Sequence, residues 1–169
     1  MASDEVVAAV KALNIDGVEV RDTQYRYYPF QMLGAQVLGF VGKTDESPDS
    51  IGLYGVEKKF NAELTEGNDV QLTLDRNIQA EAEATLERLL TAHNAAGGSI
   101  IVENPNTGEI LAMASGPTFD PNDYGKYPIK NFVNPAVQGM YEPGSVFKPL
   151  TMAAGIDAGI ITPDTTYVD

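Results

Sequence analysis

Tyr141-Glu142-Pro143-Gly144-Ser145-Val146-Phe147-Lys148 is the stretch on which the reading of this chain turns. A Pro-Gly break is followed by a serine, and a lysine comes three residues later at the head of an apolar run. On a helix, residues three apart are neighbours on one face, so Ser145 and Lys148 would meet there. A serine hydroxyl is a weak nucleophile until a base takes its proton. Lysine can be that base only when neutral, a state favoured by burial and by the positive end of a helix. Residues 146–158 read as a helix that is apolar on nearly every face, hence a buried one, with Lys148 in its first turn. Ser145, at the helix start, also offers its backbone N–H to a developing oxyanion. Pro143 and Gly144 permit a sharp entry, and Pro149 is tolerable in a first turn. Taken alone, the spacing fits a helix N-cap serine followed by an unrelated lysine at least as well.

Upstream, residues 99–102 and 109–114 read as two strands around Asn104-Pro-Asn-Thr-Gly108, a strong hairpin signal. Before them, Ile78, Ala82, Leu86, Leu89 and Leu90 form the stripe of an amphipathic helix, with Asp75 as its N-cap and Gly97-Gly98 as its stop. Val70-Gln-Leu-Thr-Leu74 alternates and reads as a strand. In the first third, residues 3–14 read as a helix capped by Ser3, and residues 18–22 as a strand. Residues 32–41 read as a short helix leading into a strand or as one buried segment, residues 43–52 as a polar turn, and residues 54–64 as one helix. Residues 116–135 read as a loop. The best boundary lies near Gly67-Asn68, which divides the chain into residues 1–67 and 68–169.

Composition narrows the function. The chain has 169 residues, is 43% hydrophobic and 21% charged, and carries a formal net charge of −13. Such acidity argues against a nucleic-acid partner, because phosphate contacts need Lys and Arg. There is no cysteine, which removes disulfides, thiol chemistry and Cys-based metal sites. The one histidine, His93, is expected at the end of a helix rather than in a Ser-His-Asp triad. The start, Met1-Ala-Ser-Asp-Glu5, has neither a basic n-region nor an apolar h-region, and no run of about 18 apolar residues follows. The chain therefore reads as soluble, with any membrane anchor of its parent left off. Asp75, Glu81, Glu83 and Glu87 read as a solvated helix face rather than a carboxylate site. Asp120, Asn122 and Asp123 lack the spacing of a Ca²⁺ loop, and no metal or cofactor is expected. Gly34 to Gly42 lacks a G-x-G-x-x-G pattern. Tyr25, Tyr27, Tyr28 and Phe30 are expected to pack rather than to form a ligand platform.

The surroundings of Ser145 change the balance. Residues 141–149, with Asn134-Pro-Ala-Val-Gln138 before them and Thr151-Met-Ala-Ala-Gly-Ile-Asp-Ala-Gly-Ile-Ile-Thr-Pro163 after them, closely resemble class B penicillin-binding proteins, whose first motif is S-x-x-K. Residues 98–114 resemble the hairpin before the active-site helix of that family, and residues 70–79 the opening of its transpeptidase domain. Arg26-Tyr-Tyr-Pro29, Val37-Leu-Gly-Phe-Val-Gly42 and Gly52-Leu-Tyr-Gly-Val-Glu57 resemble its N-terminal pedestal, or dimerisation, domain. The resemblance covers most of residues 24–169, and within the family it is nearer the division type than the elongation type.

The resemblance implies an α+β fold: a pedestal domain over residues 1–67, then over 68–169 the beginning of a serine transpeptidase domain with helices packed on antiparallel sheet. It implies that Ser145 attacks the D-Ala-D-Ala carbonyl of a peptidoglycan stem peptide, with Lys148 as proton acceptor, and that β-lactams acylate the same serine. Partners would be stem peptides, β-lactams and proteins of the division or elongation machinery. The parent would sit at the extracytoplasmic face of the inner membrane. Two departures stand out. The family's S-x-N and K-[ST]-G motifs do not occur in these residues, so a chain of this extent is expected to be inactive by itself and to expose apolar surface where the rest of the domain belongs. The family also usually inserts a longer segment near Gly67. Two other readings remain at this stage: a non-catalytic pedestal or interaction module, and a β-lactam sensor or serine β-lactamase, against which the pedestal-like segments weigh.

Overall fold

The structure, a computed structural model, describes residues 2–20, 25–45 and 47–166. It is of mixed α+β character, with helices and two separate antiparallel hairpins. Two compact units emerge. One is Met1–Val70 with Thr118–Pro128, the other Gln71–Pro117 with Ile129–Asp169.

The first unit begins with α1 (Asp4–Ala12), whose Val6 N–H donates to the Ser3 hydroxyl oxygen at 3.4 Å, the expected cap. Its apolar stripe is only partly covered: Val7 and Val10 are half-buried, Val6 and Leu13 are exposed, and no residue of α1 is buried. Residues 18–20 form no strand, and the rest of that expected strand, residues 21–22, lies outside the described residues. The helix-then-strand reading of residues 32–41 holds, as α2 (Ala35–Leu38) leads into β1 (Val41–Thr44). The polar turn expected over residues 43–52 is instead the end of β1 and the whole of β2 (Ser47–Gly52). Its polar composition hides a ladder that pairs Val41 with Gly52 and Thr44 with Ser47 across a bulge. The helix expected over residues 54–64 breaks at Phe60 (φ −113°, ψ 30°) into α3 (Gly55–Lys59) and α4 (Asn61–Thr65). At the break, the Asn61 side-chain oxygen accepts the Gly52 N–H at 2.7 Å, tying α4 to the end of β2.

Two glycines let backbones touch in this unit. A Cβ on Gly39 (φ 75°) would lie 1.8 Å from the Tyr54 carbonyl oxygen, and one on Gly55 (φ 55°) 2.4 Å from that of Val37. Only glycine fits such contacts at positive φ. They seat Phe40, 1% exposed, between Tyr54 (centroids 5.3 Å) and Tyr124 (4.2 Å), with Phe119 edge-on at 5.7 Å. Each such pair contributes about 0.5–1.5 kcal/mol beyond the area it buries. Two of these rings come from the expected loop, which passes through the 3₁₀ turns Pro121–Lys126 and Ile129–Asn131. Spaced aromatics in a loop were the available signal that it packs.

In the second unit, α5 (Arg76–Ala92) lies on the hairpin of β3 (Gly98–Glu103) and β4 (Ile110–Gly116). Asp75 caps α5 by accepting the N–H groups of Asn77 (2.8 Å) and Ile78 (3.1 Å). The helix ends earlier than expected, at His93 as C-cap. Asn94 takes φ 48°, and the N–H of Ala95 donates to the Leu90 carbonyl at 2.9 Å. That is a Schellman end on asparagine, which tolerates the left-handed region, and it leaves Gly97-Gly98 to enter β3. Ala82, Leu86, Ala112 and Ala114 form the core, joined by Ile78, Leu90, Ile100 and Val102. The small alanines of β4 let the larger α5 side chains sit close to the sheet.

Residues 70–74 are not a strand. Their burial alternates as the pattern predicts, half-buried at Val70, Leu72 and Leu74 and exposed between. The Thr73 hydroxyl donates to the Ile110 carbonyl at 2.7 Å, and the one backbone bond to β4 comes just after these residues, from Asp75 N–H to the Leu111 carbonyl at 2.8 Å. Alternation follows from one buried face; a strand needs a ladder as well.

Candidate active site

Upstream of Ser145 the chain is anchored on β4. The outer edge of this strand would be an open row of N–H and C=O groups, a liability unless covered. Gln79 of α5, 2% exposed, covers it. Its side-chain oxygen accepts the Met113 N–H at 2.7 Å, and its Nε2 donates to the Met113 carbonyl at 3.1 Å and to Glu83 Oε1 at 2.7 Å. The amide imitates one residue of a neighbouring strand. Glu83 is consequently half-buried, not part of the solvated face expected for it, whereas Glu81 and Glu87 are exposed.

Next along the chain is α6 (Pro135–Gln138), held against the hairpin by Asn134. Asn134 Oδ1 accepts the Ala136 N–H at 3.1 Å and the Ser115 hydroxyl at 3.3 Å. Ser115 and Ser99 are cross-strand partners whose hydroxyls lie 2.9 Å apart.

After α6 the chain reaches Pro143 (φ −68°) and Gly144, whose φ of +58° is open to glycine at little cost and to other residues rarely. This reversal starts the 3₁₀ turn Gly144–Phe147, in which the Lys148 N–H donates to the Ser145 carbonyl. Residues i and i+3 eclipse in a 3₁₀ turn, at three residues per turn. The turn therefore sets positions 145 and 148 on one side of the backbone. Lys148 then opens α7 (Lys148–Asp157), with Pro149 in its first turn. A cation at a helix N-terminus works against the macrodipole, at about 0.3–1 kcal/mol. Lys148 is therefore not placed there for helix stability.

The burial expected around this pair is not found. Ser145 and Lys148 are both exposed, and α7 buries no residue. Val146 (74% exposed), Phe147 (51%) and Leu150 (61%) face solvent, and Met140 is fully exposed. A helix apolar all round is expected to be buried, but only the end of this one is covered. Gly159 (φ 67°) closes a Schellman turn, with Ile160 N–H on the Gly155 carbonyl at 3.0 Å. Ile161 folds back over Gly155. The apolar exposure expected from the missing motifs is what the structure displays.

The remaining candidates do not join this site. His93 is the exposed C-cap of α5. Asp120 accepts the Asn122 N–H (2.9 Å), and Asp123 pairs with Lys126 (2.6 Å). Asn122 bonds both backbone groups of Tyr28, accepting its N–H and donating to its carbonyl, each at 2.9 Å. Of the four aromatics expected to pack, Tyr28 is buried, whereas Tyr25, Tyr27 and Phe30 are more than half exposed. The Tyr28 hydroxyl accepts the Val41 N–H (2.9 Å) and donates to the buried Glu57 (3.3 Å), which also takes Nε of Arg26 at 2.6 Å. Burial, then the Glu57 charge, pushes the Tyr28 phenol well above its ordinary range. No helix among the described residues is long and apolar enough to cross a membrane.

Sequence reasoning missed Gln79, Ser99, Ser115 and Asn134 as residues that shape the site. Asn134 carried a signal: an Asn directly before a Pro is the pattern of an N-cap followed by a helix-opening proline. A glutamine on an amphipathic helix carries none.

Comparison with known proteins agrees with this architecture. The family model for the penicillin-binding protein dimerisation domain matches residues 2–88, and that for the penicillin binding protein transpeptidase domain matches residues 98–169. A peptidoglycan D,D-transpeptidase FtsI homolog of Mesostigma viride is 30% identical over 99% of this chain and 32% of its own length. The probable peptidoglycan D,D-transpeptidase PenA of Neisseria gonorrhoeae is 33% identical over 92% of this chain and 31% of its own length. Stage V sporulation protein D of Bacillus subtilis (strain 168) is 32% identical over 92% of this chain and 28% of its own length. The chain thus spans about a third or less of the curated relatives it matches. With one family model covering more than half of its residues and a second covering most of the rest, the chain belongs to the class B penicillin-binding proteins.

Proposed function

We propose that this chain is part of a peptidoglycan D,D-transpeptidase, with a pedestal domain over residues 1–67 and the N-terminal part of the catalytic domain over 68–169. Ser145 is its nucleophile and Lys148 the proton acceptor. The observation that supports the reading is the 3₁₀ turn Gly144–Phe147, which at three residues per turn sets positions 145 and 148 on one side of the backbone, inside the segment matched to the transpeptidase domain. Ser145 attacks the D-Ala-D-Ala carbonyl of a stem peptide and expels the terminal D-Ala. The acyl-enzyme is resolved by the amine of a neighbouring stem peptide. A β-lactam presents an equivalent carbonyl and acylates the same oxygen. The full protein works at the extracytoplasmic face of the inner membrane, with proteins of the division or elongation machinery as its partners.

The 169 residues are inactive alone. Half of an oxyanion hole, the Ser145 N–H, is present, but no S-x-N or K-[ST]-G segment accompanies it, and the reacting pair stands in water. Low dielectric and fixed donors supply most of the rate in such sites. The test is labelling with a fluorescent penicillin. The full-length protein takes up one label per chain and Ser145→Ala takes up none. Stoichiometric labelling of the 169-residue chain at Ser145 contradicts the claim of inactivity, and labelling of full-length Ser145→Ala contradicts the assignment of the nucleophile.

A further inference from the structure

We propose that Asn134 is the positioning residue for Ser145, the point through which the hairpin sets where the nucleophile lies. The inference rests on the reading of Ser145 as the acylated residue. Among the described residues Asn134 is the last buried one: every described residue after it is exposed or half-buried. Its bonding capacity is nearly filled. Oδ1 accepts from Ala136 N–H and Ser115 Oγ, and Nδ2 lies 3.3 Å from Met113 Sδ. Its own N–H donates to Gln138 Oε1 at 3.0 Å, and its carbonyl accepts the Gln138 N–H at 2.9 Å.

These bonds grip two elements at once. Toward the sheet, the Ser115 hydroxyl proton is spent on Asn134, so the Ser99 hydroxyl must donate to Ser115. The result is a directed chain from β3 through β4 to Asn134. Toward the arm, Oδ1 caps α6 and so fixes the direction in which the chain leaves. Gly139 follows so tightly that a Cβ there would lie 2.6 Å from the Pro135 carbonyl oxygen. From Gly139 only five residues, Met140 to Gly144, lead to Ser145, so the direction set at Asn134 is carried to the start of the Ser145 turn. A displacement of about 1 Å at a reacting centre lowers rates about a hundredfold.

The experiment uses the full-length protein and a fluorescent penicillin, separating the binding constant from the acylation rate constant. Asn134→Ala is expected to slow acylation about ten- to a hundredfold with binding unchanged. Asn134→Asp keeps both acceptor bonds and is expected to recover acylation to within about threefold of wild type. Leu86→Ala, which opens the core under the same hairpin, serves as the control matched for loss of Tm and is expected to acylate normally while folded. The proposal is overturned if Asn134→Ala acylates at the wild-type rate, if Asn134→Asp is as slow as the alanine variant, or if Leu86→Ala slows acylation equally. If the wild-type protein is not acylated at Ser145, the functional reading fails and amide exchange decides this one. Asn134→Ala must then speed exchange over residues 136–148 and spare residues 98–116, and unchanged exchange in the arm overturns it.

Discussion

Replacing Gln79 by methionine tests the central claim about the sheet edge. The two side chains are similar in volume, so the packing of α5 on the hairpin is kept and no large cavity opens. What is lost is three hydrogen bonds: two with the backbone of Met113, at 2.7 and 3.1 Å, and one with Glu83 at 2.7 Å. The Glu83 bond involves a half-buried carboxylate that can turn to water, so it counts for little. The Met113 N–H and C=O cannot be rescued so easily, because the side chain in front of them is 2% exposed. A buried backbone group left without a partner costs about 1–3 kcal/mol, which puts the pair at about 2–4 kcal/mol once partial access to water is allowed. For a unit of this size that lowers Tm by about 10–20 °C. Because the chain has two units, a single melting curve mixes them, and native-state amide exchange is the better assay. The Met113 amide should lose protection by the same 2–4 kcal/mol, about thirty- to a thousandfold in exchange rate, while the Phe40 amide in the other unit is unaffected. Exchange of Met113 within twofold of wild type would refute the claim that Gln79 serves as a surrogate strand.

Three further outcomes are expected. Gly144→Val should cost about 1–2 kcal/mol locally by disfavouring φ +58°. In the full-length protein it should depress β-lactam acylation with little change in the protection of the hairpin; normal acylation would remove the turn from the mechanism. Arg26→Met leaves the buried Glu57 carboxylate with the Tyr28 hydroxyl. Since Arg26 is itself half exposed, the loss should be about 1–2 kcal/mol, read as faster amide exchange in β1 and α3. Tyr28 sets an alkaline limit. Its folded-state pKa is raised by burial above the ordinary 10.0, so its contribution is full below pH 10 and is lost as the pH rises further. Each pH step above 10 should cost about 1.4 kcal/mol through this group, and Tyr28→Phe should flatten the curve there; identical alkaline slopes would exclude Tyr28 as the cause.

Local chemistry made several elements legible. Ser3 and Asp75 are helix caps that act through neighbouring N–H groups, and both function as the sequence suggests. The β3–β4 hairpin follows from two apolar runs around a Pro-Asn-Thr-Gly turn. The placement of Ser145 and Lys148 on one side follows from a spacing of three that either helix type honours. Where the reading failed, a non-local partner decided. Residues 70–74 alternate in burial but form no backbone ladder with β4, so they are not a strand. The polar residues 47–52 are a strand because β1 pairs with them.

Ser145 and Lys148, the reversal at Gly144, the caps and the family of the chain were determined by the order of residues alone, since each depends on neighbours within a few positions. Tertiary structure decided that Gln79 completes the edge of β4, that Asn134 ties α6 to Ser115, and that residues 118–128 bring Phe119 and Tyr124 to Phe40. These depend on groups 34, 19 and some 80 positions apart. The apolar pattern of α7 encodes a wish for burial, but burial requires a surface to meet, and a helix cannot specify in its own sequence whether that surface is there.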